Sequence, residues 1–303
     1  MWQQLFSDLE KGDTRALARC ISLIENESEG HRELLRSLPS SLPARVIGIT
    51  GPPGAGKSTL VDALIGAFID QGSRVAVLCV DPSSPFHLGA LLGDRIRMSA
   101  WYTHPDVFIR SLATRGSMGG LHPHIIEITD VVKAAGYDYV IIETVGVGQS
   151  EVEIAGLADT TVVVMVPEGG DEVQTMKAGL MEIADIFVVN KADRPGADLF
   201  IKYLRQMLAP AFHNHQVEIP IIKTIASEKK GIDLLYEAIR NHSVDDHHRR
   251  TWLLAEKAYY LIRQRRMRHI SKDELQRRIG EQVARNHFNL YAFVEEQVNA
   301  GPR

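Results

Sequence analysis

The sequence is poor in cysteine and in long apolar runs, and each shortage closes off a class of protein. Its two cysteines, Cys20 and Cys79, lie far apart with no CxxC or CxH partner, so neither a disulfide framework nor a cysteine metal site is indicated. A continuous apolar run such as Val75 to Val80 falls far short of the ~20 residues that span a bilayer. The first residues lack a basic region before an apolar core, and Asp8 and Glu10 are foreign to a transit peptide. The chain is therefore read as starting here, with the cytoplasm as its default compartment and no membrane partner. Basic charge is also not in excess: 34 Lys and Arg against 38 Asp and Glu give a net charge of −4, which argues against a protein built around the nucleic-acid backbone. A hydrophobic share of 45% and a charged share of 24% are ordinary globular values and support neither disorder nor a fibrous repeat.

What is present is an alternation. Residues 1 to about 40 read as helical, with Asp13 placed as an internal cap, and Ser37 to Pro43 breaks the pattern. Apolar runs then recur at Arg45–Thr50, Arg74–Val80, Val107–Arg110, Tyr139–Glu143, Thr161–Val166, Ile186–Asn190 and Ile219–Ile225, with helical patterns between them. Runs this continuous are what strands buried on both faces of a parallel sheet require. Beyond Asn241 no strand-like run remains. Between Arg249 and Arg278 ten Lys or Arg face three acids, which reads as a solvated helix face or an association arm rather than a nucleic-acid arm. At roughly 150 residues per domain the 303 residues suggest about two domains. The motifs below redivide them into an N-terminal helical extension (1–42), a nucleotide domain (43–242) and a C-terminal helical arm (243–303). The expected fold is α/β with a mostly parallel central sheet, of the P-loop NTPase kind.

Gly51-Pro52-Pro53-Gly54-Ala55-Gly56-Lys57-Ser58, followed by Thr59, matches G-x-x-x-x-G-K-[ST] and falls between an expected strand and an expected helix. Glycines let the backbone fold its N–H groups around a phosphate, and the helix N-terminus adds its dipole. Lys57 is expected to bridge the β- and γ-phosphates and the Ser58 hydroxyl to coordinate Mg²⁺.

Asn190-Lys191-Ala192-Asp193 follows another apolar run. The Asp193 carboxylate only accepts hydrogen bonds, so it can take N1–H and the exocyclic amine of guanine, whereas adenine offers an acceptor at N1. GTP is thereby favoured over ATP. Asn190 is expected to contact the base edge and tie this loop to the phosphate loop, and the Lys191 stem to cover the base face. Thr224-Ile225-Ala226 reads equally as a donor of a backbone N–H to the guanine carbonyl or as a plain strand end.

Glu143-Thr144-Val145-Gly146 occupies the place of the second phosphate-sensing strand. Its carboxylate would hold Mg²⁺ or a water on it, and the Gly146 N–H would bond the γ-phosphate. Val147 follows, where a glutamine orients the attacking water in Ras-like GTPases; valine cannot. Asp81, at a strand end beside the phosphate site, is a second metal candidate. Asp94 is a third, and taken alone it reads more readily as a turn former or cap.

Together with Val80-Asp81-Pro82-Ser83-Ser84, Leu92-Gly93-Asp94, Arg115-Gly116-Ser117-Met118-Gly119-Gly120 and the stretch Glu143 to Glu151, these segments resemble the MeaB/ArgK family of P-loop GTPases, which chaperone adenosylcobalamin-dependent methylmalonyl-CoA mutase. The resemblance extends to the N-terminal helices and to a C-terminal dimerisation arm. It implies Mg²⁺ contacts from Ser58, Asp81, Asp94 and Glu143, a third switch over Pro167–Lys177, and Lys177 as a charge-neutralising group brought in by the mutase; by its own residues Lys177 reads equally as a surface lysine. Cobalamin is expected on the partner, since no Asp-x-His-x-x-Gly signature occurs. Departures from the family pattern are Arg95, Ile225 and His87-Leu88-Gly89. The rival readings are nickel delivery, a kinase or ATPase of basic amino-acid transport, and a nucleotide-gated scaffold with little turnover. The histidine pairs 122/124, 213/215 and 247/248 form no Cys/His cluster with ligand spacing for the first of these.

Overall fold

The computed structural model describes residues 2–39, 42–81, 98–114, 121–144, 153–167, 178–212, 219–242, 247–267, 270–284 and 288–299. They fall into two compact units, Met1–Arg250 and Thr251–Arg303.

The first unit is built on strands β1 (Arg45–Thr50), β2 (Val75–Asp81), β3 (Val107–Ala113), β4 (Tyr139–Glu143), β5 (Thr160–Met165), β6 (Ile186–Val189) and β7 (Ile221–Lys223). Their order is β3-β2-β4-β1-β5-β6-β7, and every pairing among them is parallel. β2 and β5 are buried at every position, as strands covered on both faces must be. Seven parallel strands place all their C-terminal ends on one edge, and the chain leaves β1 between β4 and β5, where the winding reverses. Ligands of open α/β sheets bind at that reversal.

On one face lie α4 (Lys57–Asp70) and, further along the chain, α8 (Ile232–Asn241), which pack against Ile47, Ile49, Val77, Cys79, Ile141 and Val162. α4 is apolar nearly all round, with Leu60, Val61, Leu64, Ile65 and Phe68 buried, the pattern of a helix enclosed on several sides. Trp101 closes one of them: its indole N–H donates to Asp62 at 2.8 Å. The opposite face carries α5 (Ile125–Ala134), α6 (Ala178–Ile183) and α7 (Ala197–Phe212), the last packing its Phe200, Ile201, Leu204 and Leu208 against Val163 and Phe187.

The N-terminal segment, expected as helical, forms α1 (Trp2–Glu10), α2 (Thr14–Glu25) and α3 (His31–Arg36). Asp13 caps α2, its carboxylate accepting from the N–H groups of Arg15 (2.7 Å) and Ala16 (2.8 Å). α2 packs against α5, and Glu25 at its end pairs with Arg110 of β3 at 2.6 Å. Cys20, inside this layer, has its thiol pushed up to about 11 by burial, so it remains a neutral packing group.

The second unit holds most of α9 (His247–Met267) together with α10 (Lys272–Ala284) and α11 (Leu290–Asn299). Arg278 of α10 stacks over Phe293 of α11 at 5.6 Å and pairs with Glu296 at 3.3 Å. Trp252, Tyr259, Ile262, Tyr291, Val294 and Val298 stand exposed. No helix among the described residues is long and apolar enough to cross a membrane.

One contact tests this packing directly. A Cβ on Gly48, in the middle of β1, would overlap the Ile154 side chain and come within 3.1 Å of the Ala158 Cβ, and both neighbours are buried. Gly48→Ala is expected to cost about 1–3 kcal/mol through overpacking, lowering the thermal midpoint by several degrees, and to cost less in an Ile154→Ala background, which removes the overlapping Cγ1. An unchanged midpoint by circular dichroism would contradict this close approach.

Candidate functional site

β1 ends at Thr50, and the chain turns through Gly51–Gly56 into α4. Gly51 has φ +138°, and a Cβ there would overlap the carbonyl oxygen of Val164 in β5. Gly56, at φ +88°, would drive a Cβ into the Asn190 amide. The loop is pressed against its neighbours at both positions, which only glycine allows.

The loop's carbonyls are taken by side chains. The Lys57 ammonium donates back to the carbonyls of Gly51 (2.9 Å) and Pro52 (3.1 Å). The Lys191 ammonium donates to Gly54 O at 2.8 Å, and the Asn190 amide to Ala55 O at 2.9 Å. A loop held through its carbonyls has its N–H groups of residues 56–58, at the start of α4, directed to an anion.

Asn190 is a hub. While its amide nitrogen holds the phosphate loop, its Oδ1 accepts from the Thr224 hydroxyl and from the Ala226 N–H, both at 3.1 Å. Lys191 adopts φ +55°, which brings its side chain over the loop, and Asp193 is exposed beyond it. The structure thus brings the Asn190–Asp193 and Thr224–Ala226 segments together with the phosphate loop. It also commits the Ala226 N–H to Asn190 and the Ile225 N–H to the Lys230 carbonyl at 3.1 Å.

At the other side of the loop, the Ser58 hydroxyl donates to Glu143 Oε1 at 2.7 Å. Register places Cys79 beside Glu143, and Asp81, two residues on from Cys79, shares its face of the sheet. That is the face covered by α4. Asp81, Glu143 and Ser58 are all buried there. A hydroxyl and two carboxylates are hard oxygen donors, the set that suits Mg²⁺ completed by water and phosphate. Among the described residues no group of three or more His, Cys, Asp or Glu is placed to hold an ion. Asp94, Gly146 and Lys177 lie outside the described residues.

Two contacts carry no signal in the sequence. Thr144 donates its hydroxyl to Thr50 Oγ1 at 3.0 Å, with both side chains buried, and the Trp101 to Asp62 bond braces α4 from behind.

The family described as methylmalonyl Co-A mutase-associated GTPase MeaB matches residues 17–284. The chain belongs to the MeaB family. It is a P-loop GTPase, and its phosphate loop and NKxD loop are those just described. A Pyrococcus abyssi protein whose name describes a GTPase is 50% identical over 246 residues, covering 80% of this chain and 76% of its own length. A fused isobutyryl-CoA mutase of Geobacillus kaustophilus is 39% identical over 252 residues, which is 76% of this chain and 23% of that much longer protein. Among solved structures, a crystal structure described as LAO/AO transport system kinase superposes with a TM-score of 0.68 at 26% identity, covering 98% of this chain and 96% of that one.

If Asn190 joins three segments as observed, Asn190→Ala strands the Thr224 hydroxyl and the Ala55 carbonyl in a buried place. The expected loss is about 2–4 kcal/mol of stability and at least tenfold in affinity for GDP, read by calorimetric titration. Wild-type affinity in that variant would remove Asn190 from the site.

Proposed function

We propose that this MeaB-family GTPase uses Mg²⁺-dependent binding and hydrolysis of GTP to gate the loading or protection of adenosylcobalamin in an acyl-CoA mutase. The observation that carries this reading is the fused isobutyryl-CoA mutase, in which a segment matching 76% of this chain belongs to the same polypeptide as a mutase. Cobalamin is assigned to the mutase. We take residues 43–242 as the nucleotide domain. The exposed apolar residues of α9 to α11 support a homodimer formed through the C-terminal arm.

In this reading the N–H groups of Gly54, Gly56, Lys57, Ser58 and Thr59 hold the phosphates, with Gly51, Pro52, Pro53 and Ala55 shaping the loop. The Lys57 ammonium, now on the Gly51 and Pro52 carbonyls, turns to the β- and γ-phosphate oxygens as the stronger, charged acceptors. Ser58, Asp81 and Glu143, with Asp94, would hold Mg²⁺, which would supply neutralisation of the phosphate charge. The Gly146 N–H senses the γ-phosphate. Asn190, Lys191 and Asp193 take the guanine, backed by Thr224 and Ala226.

The sequence places Val147, whose side chain cannot orient a water, where Ras-like GTPases carry a glutamine, so basal hydrolysis should be slow until a charged group arrives. Lys177 is assigned that role, brought in by the mutase. Single-turnover hydrolysis should accelerate at least tenfold when methylmalonyl-CoA mutase or isobutyryl-CoA mutase is added, and Lys177→Ala should abolish the acceleration while leaving GDP affinity intact. No acceleration by either mutase would overturn the gating reading.

For the base, Asp193→Asn exchanges an acceptor for a group that can also donate, matching the 2-oxo group of xanthine. Competition binding should show GTP weakened relative to xanthosine triphosphate. An unchanged ratio would refute the assignment of Asp193.

A further inference from the structure

Consecutive residues of a strand point to opposite faces of a sheet, and the end of β4 uses both. Glu143 projects to the α4 face, where it accepts from Ser58 at 2.7 Å. Thr144 projects to the other face and donates to Thr50 at 3.0 Å. Its own N–H continues the ladder to Ile49 O at 3.0 Å. Thr50 is the last residue before Gly51 and Ser58 the first after Lys57, so the two neighbours 143 and 144 grip the two ends of the phosphate loop from opposite faces.

The two grips differ in kind. Ser58 and Glu143 are the groups read above as serving Mg²⁺, and with that ion bound the Ser58 oxygen would offer a lone pair to the metal while its O–H still donates to Glu143, so both would answer to the ion as well as to each other. Thr50 and Thr144 have no such second duty. Both are essentially fully buried, at 0% and 2% exposure, so a hydroxyl that lost its partner here would find no water to replace it. A threonine pair in this position resists displacement of the β4 terminus whether or not the metal site is filled.

We propose that Thr144, through Thr50, is a positioning residue that keeps Glu143 aimed at the phosphate loop and so sets the geometry of the metal site. The proposal rests on the reading of Ser58 and Glu143 as metal-site groups, and it touches neither the base site nor the mutase. It also accounts for the choice of residue: valine would fill the same space, but only a hydroxyl makes the bond.

The test is the Mg²⁺ dependence of N-methylanthraniloyl-GDP release from the full chain, with no mutase present, followed by single-turnover GTP hydrolysis. Thr144→Val should raise the Mg²⁺ concentration that half-protects the bound nucleotide about tenfold and slow hydrolysis by a similar factor, with metal-free GDP affinity within twofold of wild type. Thr144→Ser, which restores the hydroxyl, should restore both. Thr50→Val reaches the same bond from the other side and should reproduce the shift, and the double variant should be no worse than either single, since one bond is lost in all three. Glu143→Gln serves as the control: if it leaves the Mg²⁺ midpoint in place, the metal-site reading itself fails. If Glu143→Gln moves the midpoint and Thr144→Val does not, or if the two threonine variants add, or serine fails to rescue, the positioning role of Thr144 is wrong.

Discussion

A phosphate loop must present most of its backbone N–H groups to a ligand, and so it can spend few of them, such as Ala55 N–H on the Pro52 carbonyl at 3.3 Å, on holding itself in place. Everything near the site answers that constraint. The carbonyls of Gly51, Pro52, Gly54 and Ala55 accept from Lys57, Lys191 and Asn190, and each donor is a side chain anchored on a helix or strand end outside the loop's own backbone. Two of those donors come from the loop after β6. A charged donor to a carbonyl is worth more than a neutral one, so the loop is held firmly without closing its anion-binding side. Only the glycines at 51 and 56 can come as close to β5 and to Asn190 as this arrangement demands.

The sheet order is what makes such a scheme available. With β1 between β4 and β5, the strand that carries the phosphate loop is flanked by the strand that carries Glu143 and, one strand further on, by β6 with the base loop at its end. The topological reversal therefore sets the Ser58–Glu143 side and the Asn190 side of the site on opposite flanks of one loop. Burial keeps these flanks rigid: β4 is buried from Val140 to Glu143 and β6 throughout. A parallel sheet covered on both faces gives the rigid edge on which a few polar groups can be placed to within hydrogen-bonding distance.

Much of this was legible in the residues, because the signals are local. The strands at 45–50 and 139–143 stand where their apolar runs end, and the two nucleotide loops are contiguous motifs. Two strand limits were not legible, for physical reasons. β3 continues to Ala113 through Arg110 and Ser111, polar residues that end an apolar run, since Arg110 is occupied by Glu25 of α2. β7 is shorter than its run of apolar residues, because Pro220 has no N–H to give and the chain turns away at Thr224 into a bridge between Ile225 and Lys230. The cap expected at Asp13 does open α2, but the helical pattern did not reveal the separate α3, which the chain enters through Gly30 at positive φ. The Thr50 to Thr144 and Asp62 to Trp101 contacts join residues remote in the chain, and no local pattern encodes them.

The Asn190 hub has a consequence for how the site discriminates. Its amide oxygen is saturated within the protein by Thr224 and Ala226, and one of its two amide N–H groups goes to the Ala55 carbonyl. Any shift of the base loop that a wrong base would require must therefore be transmitted to the phosphate loop or break a buried bond. Rejecting a base and loosening the phosphates become the same event, and the energy of that event is the cost of stranding a buried polar group rather than the loss of one contact to the ligand. In the reading in which Asn190 and Asp193 take the guanine, selectivity is in that sense also a property of how the phosphate loop is anchored.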